Sequence, residues 1–519
     1  MHYERLSALD TSFLVQEGRF TYMHIASTGI FTPEPTAAVG GTVGVDIERV
    51  RRYFASRLHL VPRYRQRLAY VPVTNDPVWV DDDRFDLAYH VRHVSLPRPG
   101  NDEQLRQLVA RVIERQLDRK RPLWECWFIE GLGDEHSRGR FAMVTKVHHC
   151  MVDGIGGVDL LAAILTMAPG RPNAPNAPNA GIGAAEPWSP RPAPDDRSLA
   201  REEATRRTRA LFGALTGMRS AGAQSGSLAS TVKDFASSAW SLARTGLQRP
   251  TKLPFNGTIG PHRRIEWLGS PIDEVKAVSH GLGGTLNDVV LATVAGAMHH
   301  FLGTIDVNVR EASLRAAIPV SVRTADQRGS AGNRVSAWLA DLPVSERDPW
   351  RRLTAIRAVT ENLRQTHQAE NAHALAEVAE WTGANLLGIA LRVLNSTQPF
   401  NVVVTNVPGP PMPLYLMDAR MDTIYPHLPL FEGQGLGIAL LSYAGHLTWG
   451  LAGDWDLIPK LDRLRDALID SHSELVRLAR TVDSSARSDR PLAEAVGKNR
   501  SGVEKRIRIV RGGGPPRHP

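Results

Sequence analysis

Apolar positions recur at helical spacing through residues 46–68 (DIERVRRYFASRLHLVPRYRQRL), where Val50, Phe54, Leu58 and Leu60 fall on one side and predict a helix. Two short apolar runs, ECWFIEGL at 125–132 and FAMVTKV at 141–147, predict neighbouring strands joined by the polar, Gly-containing loop GDEHSRG. GGVDLLAAIL (156–165) returns to helical spacing. In the second half, 313–323, 334–344, 400–410 and 435–455 read as strands broken by Gly and Pro, with amphipathic helices at 348–367 and 458–480. The apolar run 286–302 carries Asn, Asp and two histidines, and is too short and too polar to span a bilayer.

Between the halves lie eight prolines from Pro169 to Pro194, with Asn-Ala-Pro repeated, a composition that suits neither a helix interior nor a sheet. Helical spacing at 199–215 and 228–247 makes the crossover behind it partly helical. The expected organisation is an N-terminal domain at 1–166, a linker and crossover at 167–255, a C-terminal domain at 256–482 and a tail at 483–519. Both domains are α/β in content and similar in size, which suggests two sandwiches meeting along a cleft.

A chain of 519 residues with 42% hydrophobic content can bury a full core in each half, which excludes a disordered or fibrous class. The net charge of +8 would suggest a nucleic-acid partner if it were spread over the chain. It is concentrated at the end instead, where residues 487–517 hold nine Lys/Arg against three Asp/Glu. The body is close to neutral, no nucleic acid is expected, and the basic tail reads as a solvated end that could touch anionic lipid. Two cysteines, Cys126 and Cys150, are too few for a disulfide framework and point to a reducing compartment. With no apolar leader at the N-terminus, the expectation is a cytoplasmic protein, at most peripheral to the inner face of the membrane.

The chemistry-bearing stretch is VHHCMVDGIGG (147–157). A shared metal is disfavoured, because neighbouring strand residues face apart and no third ligand is indicated near His149 and Asp153. A Cys150 nucleophile meets the same objection, since His149 would not reach its sulfur, so Cys150 reads as packing. A lone histidine base remains: neutral imidazole can take a proton from an alcohol when the acyl group arrives already activated. On this reading Val147 ends the strand, one histidine turns to the cleft, the other turns inward, and Asp153-Gly154 opens a tight turn. From the residues alone, a His-His pair is more often structural than catalytic.

The pattern His148, His149, Asp153, Gly154, in the form H-H-x-x-x-D-G, resembles the active-site motif of the CoA-dependent acyltransferase superfamily. Together with RLSALDTSFL (5–14), RPLWECWFIEGL (121–132), TLNDVVLA (285–292) and NVPGP (406–410), it resembles the bacterial wax ester synthase/diacylglycerol acyltransferase family. The resemblance implies two chloramphenicol-acetyltransferase-like domains with a tunnel between them, and an acyl-CoA:alcohol O-acyltransferase esterifying diacylglycerol to triacylglycerol, with a wax ester synthase acting on long-chain fatty alcohols, or a non-catalytic lipid-binding or condensation-like module, as the alternatives. It implies long-chain acyl-CoA as co-substrate, no bound cofactor and no metal, and a seat on a membrane or lipid-droplet surface. It further implies His149 as proton acceptor, with His148 and Asp153 supporting it and Gly154 forming the motif turn. Thr285 and Asp288 read as a helix cap; Asn287 is left either to donate to a thioester oxyanion or to order its loop. Pro122, Leu123 and Trp124 read as structural, and His299-His300 as core or surface.

Overall fold

The computed structural model describes residues 3–33, 44–72, 74–133, 139–151, 159–169, 188–221, 250–321, 335–365 and 399–482. Asp153 and Gly154 lie outside the described residues, as do the predicted helix 228–247, most of the Pro-rich stretch and the basic tail.

Strands numbered along the chain form two six-stranded sheets and one of three. The first large sheet has the order β12 (Tyr415–Leu416), β13 (Ala419–His427), β2 (His24–Pro33), β7 (Phe141–His148), β6 (Trp124–Glu130) and β5 (Val91–Ser95). The second runs β10 (Val335–Leu342), β9 (Leu314–Ser321), β11 (Val402–Val407), β14 (Leu436–Tyr443), β15 (His446–Asp454) and β8 (Arg263–Pro271). The small sheet joins β1 (Glu4–Arg5), β4 (Pro77–Asp81) and β3 (Gln66–Tyr70). This is the mixed α/β, two-domain architecture the sequence implied.

The sheets do not follow the expected boundaries at 166 and 256 completely. β12 and β13 leave the C-terminal half and pair antiparallel with β2 in the N-terminal sheet. Bonds from β13 tie the sheets together: Thr448 donates to the Ile424 carbonyl at 2.6 Å, Tyr443 to that of Met421 at 2.8 Å, and Trp267 stacks on Tyr425 at 4.9 Å. A β-carbon on Gly450 would lie 1.7 Å from the Pro426 carbonyl oxygen, so glycine is what allows β15 to pass this close.

Local physics explains where expectation and structure differ. The helix expected over 46–68 stops early: Ile47–Ala55 is helical and capped by Asp46, short 3₁₀ turns follow at Leu58–Leu60 and Pro62–Arg65, and β3 begins at Gln66. The α-helix closes at Ser56, and Pro62, which lacks an N–H, opens the second 3₁₀ turn after Val61 at φ −133° and ψ 69°, so α-helix does not resume before β3. Val50, Phe54 and Leu58 are buried as expected, whereas Leu60 is exposed. The run 435–455 splits into β14 and β15 because Ala444 and Gly445 both take positive φ, a two-residue hairpin turn of the primed type. β6 and β7 pair antiparallel, as their apolar runs predicted. The crossover helix extends over Asp196–Ala221, and the end of the Pro-rich stretch is docked, with Arg191 on the Asp81 carboxylate at 2.8 Å. A last helix spans 461–482 and packs its Leu464, Leu468 and Leu475 into the C-terminal core.

Candidate active site

β7 is buried along its whole length and continues through His148, where the His148 N–H donates to the Leu123 carbonyl at 2.9 Å. The chain then tightens into a 3₁₀ turn over His149–Met151, and the His149 N–H goes to the Met23 carbonyl at 2.7 Å. The two histidines therefore diverge because the strand ends between them, one residue later than expected. Strand alternation plays no part.

His148 turns inward and is almost fully buried. Its Nε2 lies 3.1 Å from Glu17 Oε1, and its Nδ1 accepts the Cys150 N–H at 3.1 Å. A backbone N–H can only donate, so Nδ1 presents a lone pair and Nε2 carries the proton. Glu17 Oε1 also accepts the Met23 N–H at 3.0 Å, and its Oε2 takes Arg119 at 2.6 Å. Burial alone would raise this carboxyl, but the hydrogen bonds from His148 and Arg119, with the charge of Arg119, outweigh it and hold it at about 2.

His149 faces elsewhere. Its ring stacks on Phe13 with centroids 3.9 Å apart, and its buried Nδ1 has no hydrogen-bond partner among the described residues. Burial, with a smaller contribution from His148, lowers it to about 4, so it is neutral at pH 7. Phe13 is delivered by the helix Ala8–Gln16, which starts where Ser7 accepts the Asp10 N–H and ends directly before Glu17. One short segment, the helix and the residue after it, thus supplies both the ring under His149 and the carboxylate under His148.

The segment Pro122–Trp124 buttresses the same strand end. Trp124 is fully buried, donates to the Tyr64 carbonyl at 2.8 Å and stacks on His90 at 4.6 Å, while the preceding Leu123 carbonyl holds His148. Cys150 is buried and its thiol is pushed well above the usual range by burial, which suits packing and not attack. Asn287 stands in the first turn of the helix Leu286–Thr304, partly exposed, its side chain without a hydrogen bond to any described residue. Thr285 and Asp288 form the expected capping box. Of the second pair, His299 binds the Val344 carbonyl and His300 lies at the surface near Glu474.

Three side chains of metal-ligating type do gather at His148, away from His149: atoms of Glu17, His24 and His148 come within 4.8 Å of one another. Arg119 on the second Glu17 oxygen puts positive charge beside the place an ion would take, and His148 Nε2 is already bonded to Glu17. The arrangement suits a hydrogen-bonded carboxylate better than a cation site. His24 is held neutral by burial first and by the nearby charges of Lys146 and Arg119. It borders a cavity of about 20 Å³ where the halves meet, lined by Tyr22 and Glu114 from one side and Arg263 and Leu428 from the other.

Phe13, Glu17, His24 and Arg119 were not singled out by sequence reasoning. Glu17 is 131 residues from His148, and nothing in one sequence marks that pairing.

Two sheets sharing a crossed-over strand make a mixed α/β, two-domain fold that condensation domains also have. The first condensation domain of the CDA synthetase has this fold, with a TM-score of 0.52 and 16% identity over 92% of this chain and 96% of its own. A starter condensation domain of rhizomide synthetase, solved with C8-CoA, matches at a TM-score of 0.52 and 13% identity over 92% and 95%.

Residues 6–290 match the wax ester synthase/diacylglycerol acyltransferase catalytic domain, and residues 331–475 match the C-terminal domain of the same enzymes. The chain belongs to the wax ester synthase/diacylglycerol acyltransferase family, and it is an acyltransferase. A Mycobacterium tuberculosis protein named probable diacylglycerol O-acyltransferase is 30% identical over 92% of this chain and 96% of its own. A second protein of that organism, provisionally given the same enzyme name, is 34% identical over 91% and 99%. The wax ester synthase/diacylglycerol acyltransferase of Marinobacter aquaeolei has a TM-score of 0.64 at 26% identity, over 92% of this chain and 99% of its own.

Proposed function

We propose that this acyltransferase moves the acyl group of a long-chain acyl-CoA to the free hydroxyl of diacylglycerol, with His149 as general base. The observation that carries the reading is the state of His149: half-buried with its Nδ1 enclosed, neutral at pH 7, stacked on Phe13 and placed on a turn braced from both sides. Neutral imidazole takes the hydroxyl proton as the oxygen attacks the thioester carbon, and returns it to the departing CoA thiolate. The donor is already activated, so no enzyme-bound acyl intermediate is needed. Asn287, whose side chain holds nothing else among the described residues, donates to the thioester oxygen as negative charge develops there. Asp153 and Gly154 shape the loop after the base.

Diacylglycerol is preferred as acceptor because the mycobacterial relatives carry that enzyme name. No helix among the described residues is long and apolar enough to cross a membrane. We place the enzyme at the surface of its lipid substrates, with residues 1–166 and 256–482 as the two catalytic halves.

The test is CoA-thiol release from palmitoyl-CoA with dioleoylglycerol or hexadecanol, followed by lipid separation. Acceptor-dependent release that gives triacylglycerol, and falls by about 10² to 10⁴ in His149→Ala, is the expected result. Release confined to hexadecanol would make it a wax ester synthase; transfer retained in His149→Ala would remove the base assignment.

A further inference from the structure

Glu17 Oε1 receives two hydrogen bonds that both lead to the backbone of His149. One comes from the Met23 N–H at 3.0 Å, and the carbonyl of that same Met23 accepts the His149 N–H at 2.7 Å. The other comes from His148 Nε2 at 3.1 Å, and Nδ1 of that ring accepts the Cys150 N–H, the peptide directly after His149. The two peptide N–H groups flanking His149 are thus each held by a partner whose other end is held by one carboxylate oxygen. Arg119, on Oε2, fixes the carboxylate plane.

We propose that Glu17 is the positioning residue of this acyltransferase: one oxygen locks His148 as its Nε2–H tautomer and anchors Met23, and the two together set the backbone from which His149 reaches the substrate. The inference rests on His149 being the base. Glu17 touches no reacting atom and acts only through the residues it holds. In the other tautomer His148 would present an N–H to the Cys150 N–H, two donors face to face, and the turn would open. A displacement of the base by about 1 Å is enough to cost roughly 10²-fold in rate.

The experiment compares Glu17→Met and Glu17→Gln, each alone and with His149→Ala, by steady-state kinetics on purified full-length protein with palmitoyl-CoA and dioleoylglycerol. Methionine fills the same volume without an acceptor, while the glutamine amide oxygen can still accept both bonds. Expected are a kcat about 30- to 100-fold lower in Glu17→Met with both KM values within about threefold, and Glu17→Gln within about fivefold of the parent. On the His149→Ala background Glu17→Met should change the residual rate by less than about threefold, because its route to the substrate is already cut.

A Glu17→Met enzyme with parental kcat, an equal loss in Glu17→Gln, or a loss that multiplies with that of His149→Ala would overturn the proposal. If His149→Ala by itself kept its activity, it is the base reading that would fall. Should Glu17→Met not fold, ¹⁵N-histidine spectra of the parent decide, with the His148 signal assigned from His148→Gln. An Nε2–H tautomer at pH 7.5 sustains the proposal, and Nδ1–H or imidazolium overturns it.

Discussion

Acidifying the assay from pH 7.5 to 5.5 should leave acyl transfer almost untouched. An ordinary histidine base, with a pKa near 6.5, would be only about 9% neutral at pH 5.5 and the rate would fall about tenfold. His149 is not in that situation: burial lowers it to about 4. At that value it is about 97% neutral at pH 5.5, and half of the activity is lost only near pH 4. The physical cause is the missing solvation of the imidazolium, whose buried Nδ1 has no acceptor among the described residues to steady the charge. The measurement is kcat/KM for the acceptor at saturating acyl-CoA, from pH 4.5 to 8.5, with each sample returned to pH 7.5 to separate titration from unfolding. An acid limb centred at 6 or above, reversible on return, would refute the argument that burial sets the basicity of His149.

The two polar residues at the start of helix 286–304 should behave oppositely. Asn287→Ala is expected to lower kcat about 100-fold at unchanged Tm, while Asp288→Ala removes a cap and the acceptor of buried Thr360, costing about 2 kcal/mol and lowering Tm at unchanged kcat per folded molecule; the reverse pattern in thermal melts and kinetics would exchange the roles. Gly450→Ala forces a methyl group into the Pro426 carbonyl and should cost about 3 kcal/mol or more, seen as a loss of several degrees in Tm; a parental melt would mean that the sheets are not this close. His90 and His427 are buried and lowered by burial to about 4 and about 3, so the unfolded chain binds protons below pH 6.5 that the folded chain refuses. Stability should therefore fall as pH drops from 6.5 towards 4, by about 2 kcal/mol per histidine at pH 5, and denaturant midpoints flat from pH 7 to 5 would contradict this.

Much of this molecule is written locally. The apolar alternation of residues 141–147, the Pro-rich separator, the capping box at Thr285 and Asp288, and the family motif around His148 and His149 are short-range patterns, and each depends on neighbours within a few residues. They were enough to give the α/β class, two halves, and the pair of histidines. The end of the helix after Ala55 is also local, but helical periodicity running on through Leu58 and Leu60 concealed it, and the primed turn at Ala444-Gly445 divided what looked like one apolar run.

What only the tertiary structure decided is how distant segments meet. β13 joins the sheet of the other half because its partner, β2, lies nearly 400 residues earlier, at a distance no periodicity reaches. The support of the site has the same character. Phe13 comes to His149 from a helix, Glu17 comes to His148 from the residue after that helix, and Leu123 meets the strand end from β6. A sequence names a carboxylate and an imidazole; only folding removes them from water, and that loss of solvation is what lowers His149 and makes the Glu17 hydrogen bonds matter.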